Sequence, residues 1–281
     1  MRALVMGVVN VTPDSFSDGG RHLDPTAAIA HGLRLFDEGA DLVDVGGEST
    51  RPGATAVDPG EEQRRVLPVV AELARRGRVS IDTRHASTAE AAVRAGATLI
   101  NDVSASLHEV AAACGVGWVA MHMLGDPRTM QADPHYDDVV SQVRAFLVER
   151  AEAAVTAGVD EVWIDPGFGF GKTLAHNVTL MAALADFVAT GFPVVVGLSR
   201  KATLGRLVAA SDATATAPPL PGLDRPAATD STPPVPTDDR IEASLATATW
   251  AAVQGVRMLR VHEVLPTVHA VALVGDVAGA A

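Results

Sequence analysis

The chain has 281 residues, 48% hydrophobic and 20% charged, which is enough for one barrel-sized domain with a full core. Its net charge of −12 argues against nucleic acid or a membrane surface as a partner, so an anionic ligand needs a local cluster of positive side chains. A single cysteine, Cys114, excludes a disulfide within the chain, and no apolar run approaches the roughly 18 residues of a membrane span. These features predict a cytoplasmic protein.

Short runs of β-branched and apolar residues recur along the chain and predict eight strands. They are residues 3–9, 42–46, 78–82, 98–102, 118–122, 162–165, 193–197 and 258–262. Helical patterns lie between them, including a capping box at residues 87–90, and the other segments are 24–39, 137–157, 173–190 and 240–255.

Strands that alternate with helices predict a parallel sheet with helical crossovers. Eight such units favour a closed (β/α)8 or TIM barrel, of the α/β class, as a single domain over residues 1–281. An open doubly wound sheet stays possible, because periodicity does not show closure.

One stretch interrupts this alternation after the seventh strand. Residues 211–237 hold seven of the seventeen prolines and are otherwise rich in alanine and threonine, with few large apolar side chains. Such a composition buries too little surface to offset the entropy of ordering, so it predicts a mobile insertion.

Functional side chains follow the carboxyl end of every predicted strand, whereas the helix-to-strand joints carry almost none. In strand order, these groups are 10–20, 48–53, 82–83, 101–102, 121–123, 165–172, 199–201 and 260–262. The carboxyl ends of all strands in a barrel meet at one mouth, where the loops build the active site. The asymmetry therefore predicts one site assembled from all eight strands.

The strings NVTPDSFSDGG, GGESTRP, DPGFGFGK, LSRK and RVHE occur in this order, and with them the chain resembles the dihydropteroate synthases. The resemblance runs over about residues 5–275, apart from 211–237. It implies a (β/α)8 transferase of folate biosynthesis, a cytoplasmic homodimer and a sulfonamide target. The implied reaction joins 6-hydroxymethyl-7,8-dihydropterin diphosphate to 4-aminobenzoate and releases diphosphate with Mg²⁺.

The resemblance assigns the pterin to residues that suit its guanine-like edge. Asp165 would accept from a ring N–H and the amino group together, Lys201 would donate to the ring, and Arg260 would lie flat against it. With Asp82, these three would be the catalytic residues. The full implied pterin set is Asp82, Asn101, Val103, Met121, Asp165, Lys201 and Arg260.

The same resemblance implies two further parts of the site. Asn10 would contact Mg²⁺, and the diphosphate set is Asn10, Thr50, Arg260 and His262. The 4-aminobenzoate set is Phe16, Arg51, Pro52, Phe170, Lys172 and Ser199, with Asp18 and Arg51 bridging the first two loops on closure. The segment after Val103 is a few residues shorter than usual in the family.

Three alternatives compete with this interpretation. A methyltetrahydrofolate-type pterin methyltransferase would share the pterin edge but has no use for STRPG or a diphosphate clamp. A non-catalytic pterin-binding paralogue would tolerate loss of Asn10, Arg51 or Lys201, all of which are present. A plain barrel scaffold would not concentrate polar side chains at one rim.

Overall fold

The computed structural model describes residues 2–12, 25–49, 56–215 and 228–279. Eight parallel strands form one sheet within these ranges. They are β1 (Leu4–Asn10), β2 (Leu42–Gly46), β3 (Arg78–Asp82), β4 (Leu99–Asp102), β5 (Gly117–Met121), β6 (Val162–Asp165), β7 (Val195–Val196) and β8 (Met258–Val261).

The sheet curls into a barrel. Its hydrogen-bonded order is β6-β5-β4-β3-β2-β1-β8-β7, and a parallel bridge between Ile164 and Val194 joins the two ends. The predicted single-domain (β/α)8 barrel is therefore confirmed. The seventh strand is only two residues long, so closure depends on that bridge and on the hydrogen bond from Ile164 N to Pro193 O (3.1 Å).

Helices surround the barrel between successive strands. They are α1 (Pro25–Asp37), α2 (Pro59–Leu73), α3 (Ala86–Arg94), α4 (His108–Cys114), α5 (Val139–Ala157), α6 (Leu174–Ala182), α7 (Leu184–Val188), α8 (Ala202–Ala215), α9 (Ile241–Val253) and α10 (Val264–Gly279), with a 3-10 turn at Thr237–Arg240 before α9. No helix of the described residues is long and apolar enough to cross a membrane.

The core has two layers, because successive strand residues face opposite sides of the sheet. One large apolar cluster fills the space between the strands and the helices, with Val43, Val45 and Ile81 among its members. A second, smaller cluster packs inside the barrel; it consists of Met6, Leu42, Leu99, Val119, Trp163, Val195 and Met258. The barrel interior is thus apolar toward the amino-terminal ends of the strands, and polar side chains lie at the mouth, at their carboxyl ends.

The predicted capping box at residues 87–90 is wrong. Helix α3 begins earlier, with His85 as its N-cap and no side-chain cap hydrogen bond. The reason lies in the strand end: the Thr83 hydroxyl accepts from His85 N (3.1 Å), which turns the chain into the helix before Ser87. A capping box does occur at α6, where Thr173 and His176 satisfy one another's backbone groups.

The proline-rich insertion predicted at 211–237 is described only at its two ends. Residues 211–215 continue helix α8, and residues 228–236 run back to the 3-10 turn, with hydrogen bonds to the first residue of α6 and to Gly205 of α8. We call residues 228–236 the stem. Mobility of the insertion stays a prediction, because residues 216–227 lie outside the described ranges.

Candidate active site

Three charged side chains from β2, β3 and β8 meet inside the mouth of the barrel. Arg260 donates from Nε to Asp44 Oδ2 (2.6 Å) and from Nη2 to Asp82 Oδ2 (2.8 Å). Burial alone would lower the pKa of Arg260, but the two carboxylates outweigh it and raise the pKa, so the guanidinium stays charged. One fixed cation therefore holds two strand ends together.

Asp44 is a site residue that sequence reasoning missed. It is 0% exposed, and besides Arg260 it accepts a hydrogen bond from Asn101 Nδ2 (2.9 Å). The available signal was its position in LVDVG: Leu42, Asp44 and Gly46 alternate along one face, and Leu42 belongs to the cluster inside the barrel. A carboxylate in that alternation must lie inside a barrel, where it needs a cationic partner.

Asn101 and two apolar residues form one side of the mouth. The bond to Asp44 fixes the Asn101 amide, so that its oxygen is defined as the acceptor for a ligand. Val103 and Met121 are both buried at the carboxyl ends of β4 and β5. The contact of these three residues with a pterin stays a prediction.

Asp82 is a carboxylate whose pKa is raised by its surroundings. Burial raises its pKa to about 7, the Arg260 guanidinium opposes this rise, and the neighbouring Asp44 carboxylate adds to it. A carboxylate that titrates near neutral pH at a cleft is typical of functional sites.

Asp165 and Lys201 form the opposite side of the mouth. Asp165 Oδ1 accepts from Gly167 N (2.7 Å), and burial raises the Asp165 pKa against the lowering effect of Lys201. Lys201 Nζ donates to Phe168 O (2.5 Å) and lies 4.6 Å from the centre of the Phe170 ring. Burial lowers the Lys201 pKa to about 8, while Asp165 works in the other direction.

Lys172 organises the loop after β6 from within. The residue is 3% exposed, and its ammonium group bonds to Gly167 O (2.9 Å), Phe170 O (3.0 Å) and His122 Nδ1 (2.9 Å). Burial lowers the Lys172 pKa to about 7, and burial together with the Lys172 charge lowers the His122 pKa to about 3. The ammonium is enclosed by its own loop, so its contribution to a ligand pocket would be through that loop.

Glycine is required in this loop by close approach of neighbouring backbone. Gly167 has φ +66°, and a Cβ there would lie 1.8 Å from His122 O. Gly171 has φ +62°, and a Cβ there would lie 2.5 Å from Leu124 O. The glycines of DPGFGFGK therefore let the loop pack directly on the chain that follows β5.

Ser199 is embedded in a hydrogen-bond cluster at the end of β7. Its hydroxyl accepts from His262 N (3.1 Å) and lies 2.9 Å from His262 Nδ1 and 3.0 Å from Glu263 Oε2. A hydroxyl has one donor and two acceptor positions, so this set fills it. Direct contact of Ser199 with a ligand carboxylate would require one of these bonds to break.

Asn10 lies at the mouth, whereas five other predicted site residues are outside the described ranges. Asn10 ends β1 opposite Gly46 and is half-buried, and its amide makes no hydrogen bond among the described residues. The five residues are Phe16, Asp18, Thr50, Arg51 and Pro52.

A second cluster of ionisable side chains lies behind the β2 and β3 loops. Potential ligand atoms of Glu48, Glu62 and His85 lie within 4.8 Å of one another. Arg84 pairs with Glu48 (2.9 Å), and His85 Nδ1 bonds to Glu62 Oε2 (2.9 Å). Arg84 compensates the Glu48 charge, and Glu62 Oε2 bonds to His85 and to the Thr83 hydroxyl, while Glu62 Oε1 has no hydrogen-bond partner among the described residues. This network joins the β2 and β3 loops and does not include Asn10, the predicted Mg²⁺ contact.

Comparisons with known proteins agree with this arrangement. The family model described as "Pterin binding enzyme" matches residues 6–262. The dihydropteroate synthase of Mycobacterium leprae is 46% identical, with 96% of this chain and 92% of that protein covered.

Solved structures give the same result. That of Yersinia pestis dihydropteroate synthase with a sulfonamide drug complex aligns with a TM-score of 0.85 at 40% identity, covering 99% of this chain and 95% of that one. That of Xanthomonas albilineans dihydropteroate synthase with 4-aminobenzoic acid aligns with a TM-score of 0.82 at 46% identity, covering 98% and 93%.

Proposed function

The chain belongs to the pterin-binding enzymes and among them to the dihydropteroate synthases, and from this premise we propose how its residues divide the work. The reaction condenses 6-hydroxymethyl-7,8-dihydropterin diphosphate with 4-aminobenzoate and releases diphosphate. The observation that carries the proposal is the set of charges at the mouth: Asp44, Asp82 and Asp165 around Arg260 and Lys201.

The pterin would bind between Asp165 and Asn101. The Asp165 carboxylate accepts from a ring N–H and the amino group, and the oriented Asn101 oxygen accepts a further bond. Lys201 donates to the pterin carbonyl, a role supported by its position beside Asp165. Arg260 is held flat by its two carboxylate bonds, and Val103 and Met121 provide apolar contact.

Charge balance at the mouth supports an ionising, SN1-like displacement. With all groups ionised, three carboxylates and two cations leave one net negative charge beside the pterin. Such preorganised charge stabilises the cationic pterin methylene left when diphosphate departs. The arylamine of 4-aminobenzoate is neutral at pH 7, so the chain needs no strong general base, and none is assigned.

Diphosphate and Mg²⁺ would lie over β1 and β8. The half-buried Asn10 amide, without a partner among the described residues, offers the single neutral oxygen that suits an ion otherwise coordinated by water and phosphate. When bound, Mg²⁺ would neutralise charge on the departing diphosphate. Arg260 and His262 are proposed phosphate contacts from β8, and Thr50 is proposed from the β2 loop.

The 4-aminobenzoate pocket is proposed against the loop after β6. The Phe170 ring would form one wall, together with Phe16, Arg51 and Pro52, with Asp18 and Arg51 joining the loops on closure. Lys172 and Ser199 are proposed to support this pocket indirectly. Lys172 fixes the carbonyls of the Phe170 loop, and Ser199 fixes the end of β7 through His262 and Glu263.

We also propose a cytoplasmic homodimer joined through α9 and α10. Five of the eight exposed large hydrophobic residues in the described ranges lie on these two neighbouring helices: Ile241, Trp250, Val253, Leu265 and Leu273. Clustering of apolar surface marks association sites. Val253→Glu should convert a dimer to a monomer in analytical ultracentrifugation, whereas Val155→Glu on α5 should leave the dimer intact.

The catalytic proposal is tested by turnover of the purified chain with both substrates, with and without Mg²⁺. Diphosphate release should require pterin diphosphate and 4-aminobenzoate together and should fall when EDTA removes the metal. Asn10→Ala should raise the Mg²⁺ concentration needed for half-maximal rate. A protein that binds the pterin but releases no diphosphate under these conditions would rule the proposal out.

A further inference from the structure

Lys201 follows a strained residue whose backbone is held from outside the barrel. Arg200 has φ +61°, and besides Ala105 it is the only non-glycine residue of the described ranges with a positive φ. A left-handed conformation is unfavourable for arginine and persists only when its surroundings impose it. Here Arg200 N donates to Ser244 Oγ (3.1 Å), and Arg200 O accepts from Arg240 Nη1 (2.8 Å).

The same Arg240 side chain also donates hydrogen bonds to the stem. Its Nε and Nη2 both donate to Val235 O (2.9 and 2.5 Å), while Val235 N donates to Gly205 O (3.1 Å). A Cβ on Gly205 would lie 2.6 Å from Arg240 Nε and 2.9 Å from Pro234 Cβ. The Arg240 guanidinium and the Pro234 ring thus pack against Gly205 of α8, where there is no room for a side chain.

The stem also reaches the loop on the other side of Lys201. Asp230 Oδ1 accepts from Leu174 N (2.8 Å), the first residue of α6, immediately after the loop organised by Lys172. Lys201 Nζ bonds to Phe168 O within that loop. The stem therefore contacts the two helices, α6 and α8, that follow the two loops between which Lys201 is placed.

We propose that Arg240 is a positioning residue for Lys201, with the stem as its support. The guanidinium joins the stem carbonyl to the carbonyl of the strained residue just before Lys201. Without it, Arg200 can relax and Lys201 leaves its place beside Phe168 and Asp165. This inference rests on the proposed role of Lys201 in pterin binding. It gives the described end of the insertion a part in assembling the active site.

The chain allows a direct spectroscopic test, because Lys172 and Lys201 are its only two lysines. Protein labelled with [ε-13C]lysine should give two side-chain signals, assigned with Lys201→Arg. In Arg240→Ala the Lys201 signal and its titration midpoint should shift, while the Lys172 signal stays. The kcat/KM for pterin diphosphate should fall on the order of tenfold or more, and KM for 4-aminobenzoate should change less. Arg240→Lys should restore part of the loss.

Gly205→Ala provides an independent probe. Alanine favours a helix over glycine, so the effect of helix propensity alone on α8 would be neutral or stabilising. The proposal instead expects the new Cβ to displace the Arg240 fork and to reproduce the Lys201 shift and the loss of kcat/KM. Gly275→Ala in α10 is the matched control, because a Cβ there meets its nearest atom at an ordinary 3.5 Å.

The outcomes separate this inference from the role of Lys201 itself. Suppose that Lys201→Ala lowers kcat/KM for pterin diphosphate but that folded Arg240→Ala and Gly205→Ala keep the wild-type Lys201 signal and kcat/KM. The positioning role of Arg240 is then overturned, and the pterin contact of Lys201 stands. If Lys201→Ala leaves kcat/KM for pterin diphosphate unchanged, the proposed pterin contact of Lys201 is wrong, and the positioning role of Arg240 fails with it. Should Arg240→Ala not fold, Gly205→Ala and Ser244→Ala decide by the same readouts.

Discussion

Asp44 Oδ2 and Arg260 Nε lie 2.6 Å apart inside the barrel, although the two residues are 216 positions apart in sequence. The pair joins β2 to β8, on either side of β1, and Asp44 has no contact with solvent. The charge that we propose to face the pterin is therefore positioned by a residue that a ligand would not need to touch.

Asp44→Asn should destabilise the protein by about 3 kcal/mol or more, because it leaves the buried Arg260 charge with one compensating carboxylate instead of two. The measurement is the free energy of unfolding from urea denaturation, with turnover recorded in parallel. Asp37→Asn, which breaks an exposed pair with Arg76, should cost about 1 kcal/mol or less. Equal losses in the two variants would contradict the structural role of Asp44.

Asp165→Asn should lower kcat/KM for pterin diphosphate on the order of a hundredfold, because the amide replaces one acceptor oxygen by an NH2 donor and cannot accept from the ring N–H and the amino group side by side. Its oxygen can still accept from Gly167 N, so thermal stability should change little. Steady-state kinetics and a melting curve measure the two effects. Asp160→Asn, at an exposed position, is the control. A near-normal rate in Asp165→Asn would refute the proposed pterin contact.

The dependence of kcat/KM on pH should be bell-shaped and narrow. Asp82, with its pKa raised to about 7, loses its negative charge as pH falls below that value, and Lys201, with its pKa lowered to about 8, loses its positive charge as pH rises above it. Because kcat/KM reports the free enzyme, both limbs should appear there. Lys201→Arg should remove the alkaline limb. An unchanged limb in that variant would assign the titration to another group.

Lys172 should make stability depend on pH. Burial lowers its pKa from 10.5 to about 7, so between these values the unfolded chain holds a proton that the folded chain does not, and stability rises with pH. Wild type should gain about 2 kcal/mol over Lys172→Met between pH 7 and pH 9. Urea titrations at both pH values measure the difference. Parallel behaviour of the two proteins would show that Lys172 keeps its ordinary pKa.

Much of the fold and part of the site could be predicted because the signals are local. Apolar runs fixed the strand positions to within a residue or two, except that β7 is much shorter than its hydrophobic run. Strand-end chemistry indicated Asp82, Asn101, Asp165, Lys201 and Arg260, which the structure places around one mouth. Their roles toward substrates stay predictions.

What sequence reasoning did not predict depends on contacts between distant parts of the chain, with one local exception at the start of α3. In the sequence, Asp44 is an isolated acidic residue in an apolar strand, and its partner Arg260 becomes apparent only when the barrel closes. The helix start at Ala86 depends on the Thr83 hydroxyl, which acts on the backbone two residues ahead. The enclosure of Lys172 depends on His122, fifty positions earlier, and on loop carbonyls, which carry no side-chain signature.

With twenty arginines and two lysines, the chain carries nearly all of its basic side chains as guanidinium groups. Amine-reactive chemistry, apart from the amino terminus, is therefore confined to one buried lysine and one at the mouth. An activated ester, which acylates amines and releases its alcohol, would report on Lys201 with little background, and substrate protection could be read from a single mass shift. Immobilisation through lysine would for the same reason inactivate it.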